Sequence, residues 1–140
     1  MIVDPLKGSL TIAATGLTAQ SQRLKVISEN LANAQSTAKL PNGDPYRRKP
    51  MSFRTEVDRL TGAAKVKIAE VGKDIAPFSL VYEPHHPAAD EQGYVKYPNV
   101  SMLVEMADMR EANRSYEANL QVVKQARELI SMTIDMMRNS

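Results

Sequence analysis

Five aliphatic positions, Val3, Leu10, Leu17, Leu24 and Leu31, recur every seven residues without a slip. Leu6, Ala13, Gln20, Ile27 and Ala34 follow each of them by three, completing an a/d heptad with one polar interruption at Gln20. A repeat of this kind predicts a helix packed along a narrow seam, in a first segment running from residue 1 to about 35. Asp4 before Pro5 is a good helix start. The carboxylate can cap free amides, and proline at the first helical position lacks an N–H that would be unpaired anyway. Gly8 and Gly16 each cost about 1 kcal/mol relative to alanine, so this helix is weak by itself.

A second heptad occupies residues 101–140. Met102, Met109, Tyr116, Val123, Ile130 and Met137 repeat every seven, and Met106, Asn113, Leu120, Arg127 and Ile134 supply the companion row. Asn113 and Arg127 are its polar breaks, and single polar residues at such positions commonly set register or oligomer state. Ser101 is a plausible N-cap, and no Pro or Gly interrupts the stretch to Ser140. Helices of about 30 and 37 residues would be roughly 45 and 55 Å long. A compact globule of this chain length is only about 37 Å across. The fold class predicted is therefore mainly α with a small β insert, the terminal helices pairing as an antiparallel coiled coil.

Residues 36–100 differ in character and form the insert. Four of the six Gly and seven of the eight Pro lie there. Asn42-Gly43 is a hairpin-turn signal. "AKVKIAEV" alternates Val66 and Ile68 with Lys65 and Lys67, and "FSLVYE" and "GYVKY" also predict short strands. At about 65 residues the insert is near the size at which a single core is marginal.

Composition narrows the chemistry. The chain has no Cys, which excludes disulfides and thiolate catalysis, and a net charge of +2 does not by itself imply nucleic acid. No run approaches the roughly 20 apolar residues of a membrane span, and "MIVDPLKGSL" is not a cleaved secretory signal. His85 and His86, with Glu83, Asp90 and Glu91 nearby, are the best metal-site candidates. They are the only two histidines and lie between Pro84 and Pro87, so a solvated turn is the favoured reading. Arg47, Arg48 and Lys49 form the strongest basic cluster, and the alternative function is a coiled-coil oligomer presenting it to nucleic acid. Ten Lys/Arg against eight Asp/Glu in residues 36–100 nearly cancel the field. A solvated strand, or one pairing with acidic neighbours, fits the charge better. No phosphate loop or catalytic triad pattern is present, and neither enzyme chemistry nor a cofactor is expected.

The second helix carries more apolar surface than one partner can cover, including Leu103, Val104, Ala107, Val122, Leu129 and Met136. Burial against the insert, a simple dimer and a multi-subunit assembly all remain open on this ground.

"SENLANAQST" (residues 28–37) resembles the signature of the flagellar basal-body rod and hook proteins. "PYRRKPMSF" (45–53), "YEPHHPAADEQGYVKYPNV" (82–100) and "MADMREANRSYEANLQVVKQAREL" (106–129) are most similar to proximal-rod members of that family. The resemblance implies a structural, non-enzymatic subunit without cofactor. It would leave the cytoplasm through the flagellar type III export apparatus with no cleaved signal, and polymerise in the periplasm. Its partners would be copies of itself and other rod subunits: proximal rod, base adaptor, distal rod and the rod-capping muramidase. Its terminal segments would order as helices on assembly. Asn30, Leu31, Asn33, Thr37, Tyr116, Glu117, Asn119 and Leu120 carry the motif. Leu10, Leu17, Leu24, Ile27, Met109, Val123, Ile130 and Ile134 would form the helix seam. Taken alone, Asn33 reads as part of a helix C-cap. With the resemblance, Asn30 and Asn33 read as a stripe of amides bonding to a neighbouring helix or subunit.

Overall fold

The computed structural model describes residues 5–60 and 62–140. Asp4, the expected cap, and Val3, the first heptad position, lie outside them. The element order is α1 (Pro5–Ala32), β1 (Met51–Val57), β2 (Ala64–Val71), β3 (Ser79–Tyr82), β4 (Tyr94–Tyr97) and α2 (Met102–Arg138). The two long helices pack together, with small paired strands between them in sequence.

Each helix ends for a local reason. Ser101 Oγ accepts from the Val104 N–H at 3.5 Å, and Glu105 in the first turn and Arg138 in the last complement the α2 dipole. At the end of α1, Asn33 Nδ2 donates to the Glu29 carbonyl at 2.8 Å, and the Ser36 hydroxyl and N–H both donate to the Asn33 carbonyl. Asn33 thus closes its own helix.

The chain divides into two compact units. One combines the N-terminal segment through Leu24 with Ser52–Glu70 and Glu111–Ser140; the other combines Lys25–Met51 with Val71–Arg110. In the first unit the helices meet over small side chains. Ala13, Ala19, Ala112 and Ala126 are buried, and a Cβ added at Gly16 would stand 2.8 Å from Asn119 Nδ2. Arg23 pairs with Glu111 at 3.4 Å and lies 5.8 Å from the Phe53 ring centroid. Strand β2 turns Val66 and Ile68 toward Thr15, Thr18 and Ala19 of α1, and the Val66 N–H donates to Thr15 Oγ1 at 3.3 Å. The β1–β2 connection is tied by the Asp58 N–H to the Ala63 carbonyl at 2.9 Å.

In the second unit β3 and β4 pair antiparallel, Ser79 opposite Tyr97 and Tyr82 opposite Tyr94. Val95 is fully buried (0 % exposed), and Tyr82 and Tyr94 stack edge-to-face at 5.3 Å. Gly93 has φ +87°, and a Cβ there would come within 2.9 Å of the Tyr82 ring. Only glycine suits this corner.

Three expectations change. Asn42 does take a left-handed turn (φ 57°), but no strands flank it. Its N–H donates to the Ala88 carbonyl instead, so residues 39–43 are a turn docked on the 83–93 loop and not a hairpin. Strand β1 was not expected, although Met51, Phe53, Thr55 and Val57 alternate with Ser52, Arg54 and Glu56. The buried helix rows also differ from the expected ones. On α1 and the turn that follows it the deepest positions include Ala13, Gly16, Ile27, Asn30 and Ala34, whereas Leu10, Leu17, Leu24 and Leu31 are half-buried. On α2 the row Glu105, Ala112, Asn119 and Ala126 faces inward, and Asn113 and Arg127 are exposed. The companion row of the first heptad holds at Ala13, Ile27 and Ala34, and the displacement there is of the leucine row, with Gly16 and Asn30 buried one residue before Leu17 and Leu31. On α2 it is the companion row that lies one residue earlier than hydrophobicity indicates. Close backbone approach selects alanine and glycine over leucine.

Candidate functional site

The densest polar construction among the described residues surrounds Asn30, in the second unit. Asn30 is 1 % exposed and uses every hydrogen-bonding site of its carboxamide. Its Nδ2 donates to the Lys49 carbonyl at 3.0 Å and to Glu105 Oε2 at 3.3 Å. Its Oδ1 accepts from the Lys49 N–H at 3.0 Å and from the Tyr46 hydroxyl at 2.6 Å. Burial raises the pKa of the Tyr46 hydroxyl above its ordinary value, so it stays a proton donor.

Glu105, itself 0 % exposed, meets Arg48 through Oε1 and Nε. The same guanidinium reaches Asp74 at 3.5 Å and Asp108 at 3.8 Å. Burial works against the Arg48 charge, and the Glu105 hydrogen bond and the three carboxylates outweigh it, leaving the pKa raised. Lys49 Nζ pairs with Glu29 at 3.0 Å, and that hydrogen bond raises its pKa also. Arg47 Nη1 donates to the Asp74 and Ala76 carbonyls, and its guanidinium lies 4.1 Å from the Phe78 ring centroid.

These contacts weigh against the nucleic-acid alternative. Arg47, Arg48 and Lys49 are all engaged within the chain, two of them on carboxylates, so they do not form a free cationic face for phosphate. The histidines sit in an ordinary turn, where His86 Nδ1 accepts from the Ala88 N–H at 3.0 Å.

The expected assembly residues separate into three groups. Asn30 and Ile27 are buried. Leu31, Asn33, Thr37, Tyr116, Asn119 and Leu120 are half-buried, as are Met109, Val123 and Ile130. Glu117 and Ile134 are exposed. Sequence reasoning missed Glu105 and Arg48 as a pair because 57 residues separate them. A lone Glu in the first turn of a helix reads as a dipole partner only.

The exposed apolar side chains of α2 concentrate toward its two ends, with Val122 (41 % exposed) between them. Met102, Leu103, Val104 and Met106 crowd the first turns, and Leu129, Met132, Ile134, Met136 and Met137 the last ones. Leu103 is 80 % exposed, and Met136 and Met137 are each 74 % exposed. No helix among the described residues is long and apolar enough to cross a membrane.

Two family models match the parts of the chain that make these helices. The "Flagella basal body rod protein" model covers residues 10–38, and the "Flagellar basal body rod FlgEFG protein C-terminal" model covers residues 91–136. The flagellar basal-body rod protein FlgC of Agrobacterium fabrum is 52 % identical over 138 residues, 99 % of each chain. FlgC of Escherichia coli O6:H1 is 47 % identical over 125 residues, 88 % of this chain and 91 % of that one. FlgC of Bacillus subtilis is 37 % identical over 142 residues, 91 % of this chain and 95 % of that one. With near-complete coverage at such identity, and helices where both models match, this chain belongs to the FlgC family of flagellar basal-body rod proteins.

Proposed function

We propose that the chain polymerises into the proximal rod through the apolar ends of its helices. Membership of the family makes it a structural subunit of the basal-body rod and not an enzyme. The observation that carries the assembly mode is the exposed apolar surface at both ends of α2, with Leu103 at one and Met136 and Met137 at the other. Side chains of this kind left in water mark an interaction face, and methionine adapts to a partner surface. The occupants of that face are neighbouring copies and the other axial subunits: further proximal-rod proteins, the base adaptor, the distal rod and the rod-capping muramidase. Delivery through the flagellar type III apparatus puts the chain in the periplasm.

Leu103→Asp and Met136→Asp test this reading. Both positions are exposed, so each variant should melt as the parent does, within about 0.5 kcal/mol of its stability. Both variants should be missing from isolated basal bodies, and the cells should not swim. Normal incorporation of both would overturn the proposed faces.

A further inference from the structure

The strands form two separate two-stranded ribbons, so every strand has an outer edge whose main-chain groups point away from its own ladder. Two of these edges are closed within the chain. On β2 the Val66 N–H donates to Thr15 Oγ1 at 3.3 Å. On β4 both main-chain groups of Tyr94 go to Asp90: the N–H donates to Asp90 Oδ1 at 2.9 Å, and the carbonyl accepts from the Asp90 N–H at 2.9 Å. Lys96 beside it carries a charge, held on Asp44 at 3.2 Å, of the kind that keeps other strands off an edge.

The edges of β3 and β1 have no such cover. The Glu83 N–H donates to the Gly93 carbonyl at 2.9 Å, in register with Ser79 opposite Tyr97. Alternation along the ladder then turns the N–H and carbonyl of Leu80 and Tyr82 outward. All four residues of β3 are exposed and uncharged, Leu80 at 60 % and Tyr82 at 63 %. On β1 the Asp58 N–H, bonded to the Ala63 carbonyl, sets the same alternation and turns the main-chain groups of Phe53, Thr55 and Val57 outward. Its two charged side chains, Arg54 and Glu56, pair with each other at 3.6 Å.

We infer that in the rod the β3 edge of one copy receives the β1 edge of a second copy, which joins two ribbons into one four-stranded sheet across the subunit boundary. The chain's own inventory selects that occupant. A head-to-tail contact between identical copies needs two different patches that complement each other. These edges are such a pair: both extended, both with outward main-chain rows, and without like charges to oppose them. Main-chain hydrogen bonds supply the affinity in strand addition, and the side chains set register. The inference rests on the reading that copies of this chain are neighbours in the rod. It engages strands of the insert and not the apolar helix ends, and it forms between copies on assembly, so it asks for no prior order in the terminal helices.

Cross-linking in isolated basal bodies tests it. The chain has no Cys, so introduced thiols are read without background. Cells producing a Thr55→Cys chain together with a Leu80→Cys chain should yield, with a short bismaleimide, a dimer linking position 55 of one chain to position 80 of the other. Cells producing either variant alone should yield none. Leu80→Pro removes the outward N–H at a position where an edge strand tolerates proline, and this chain should be missing from basal bodies. Leu80→Thr keeps the N–H and should be incorporated. The cross-link keeps the test decisive if Leu80→Pro does not fold. An absent mixed dimer, where an amine-reactive reagent still joins parental copies, would overturn the strand pairing and leave the neighbour reading standing. Parental copies that no reagent joins would overturn both. A position-80 product with a different rod subunit, or a Leu80→Pro chain incorporated like the parent, would also overturn the pairing.

Discussion

Arg48 and Glu105 are partners of unequal dependence. The Glu105 side chain is almost wholly enclosed, whereas that of Arg48 keeps about a fifth of its exposure and two further carboxylates, Asp74 and Asp108. Removing the cation therefore strands a buried carboxylate, while removing the carboxylate leaves a cation with other partners. Arg48→Ala should cost about 3–5 kcal/mol, the usual loss when half of a buried pair is deleted. Glu105→Ala should cost measurably less, and urea unfolding of the two variants checks the order. Asn30 shows why such a cluster is hard to read from sequence. Its partners lie 16, 19 and 75 positions away, and beside Leu31 at a helix end an Asn resembles a cap. Asn33, which donates to the Glu29 carbonyl of its own turn, is the cap that its residues alone indicated, although the resemblance turned the reading toward a neighbouring helix or subunit.

At the scale of elements, both helices and three of the four strands were legible because period is a local property. Strand β2 was marked by its Val-Lys alternation, and β1 carried an equally regular signal behind the basic run that precedes it. The facing rows were legible only in part: Ala13, Ile27 and Ala34 of the first companion row are buried as the heptad has them, but the leucine row and the companion row of α2 are displaced by one residue. Leucine weighs most in a hydrophobic pattern, but two helix axes approach closest where side chains are smallest. Gly16 against Asn119 records that approach. Gly16→Val should overpack the contact and cost about 1–3 kcal/mol. Part of that loss should return when Asn119→Ala is added, and a double-mutant cycle by thermal melting measures the coupling. Additive losses would place the strain elsewhere.

For the molecule as a whole, the family was legible from motifs that span nearly the full chain, and the relatives match over nearly the same length. The allocation of side chains explains why a subunit can fold and still be built to join others. Alanine and glycine go to the contacts made within the chain. Much of the leucine and methionine surface remains outside. That allocation has a chemical consequence. Met102, Met106, Met132, Met136 and Met137 all lie open to solvent in the single chain, and a thioether in that position is open to peroxide. Sulfoxide formation would turn a soft apolar contact polar without touching the alanine-lined interior. Mass spectrometry after brief peroxide treatment should find these five oxidised in the free chain and spared in isolated rods, with Met109 slower in both. An oxidised subunit should be refused by the growing rod, so the interval before incorporation is the period in which this protein is exposed to damage.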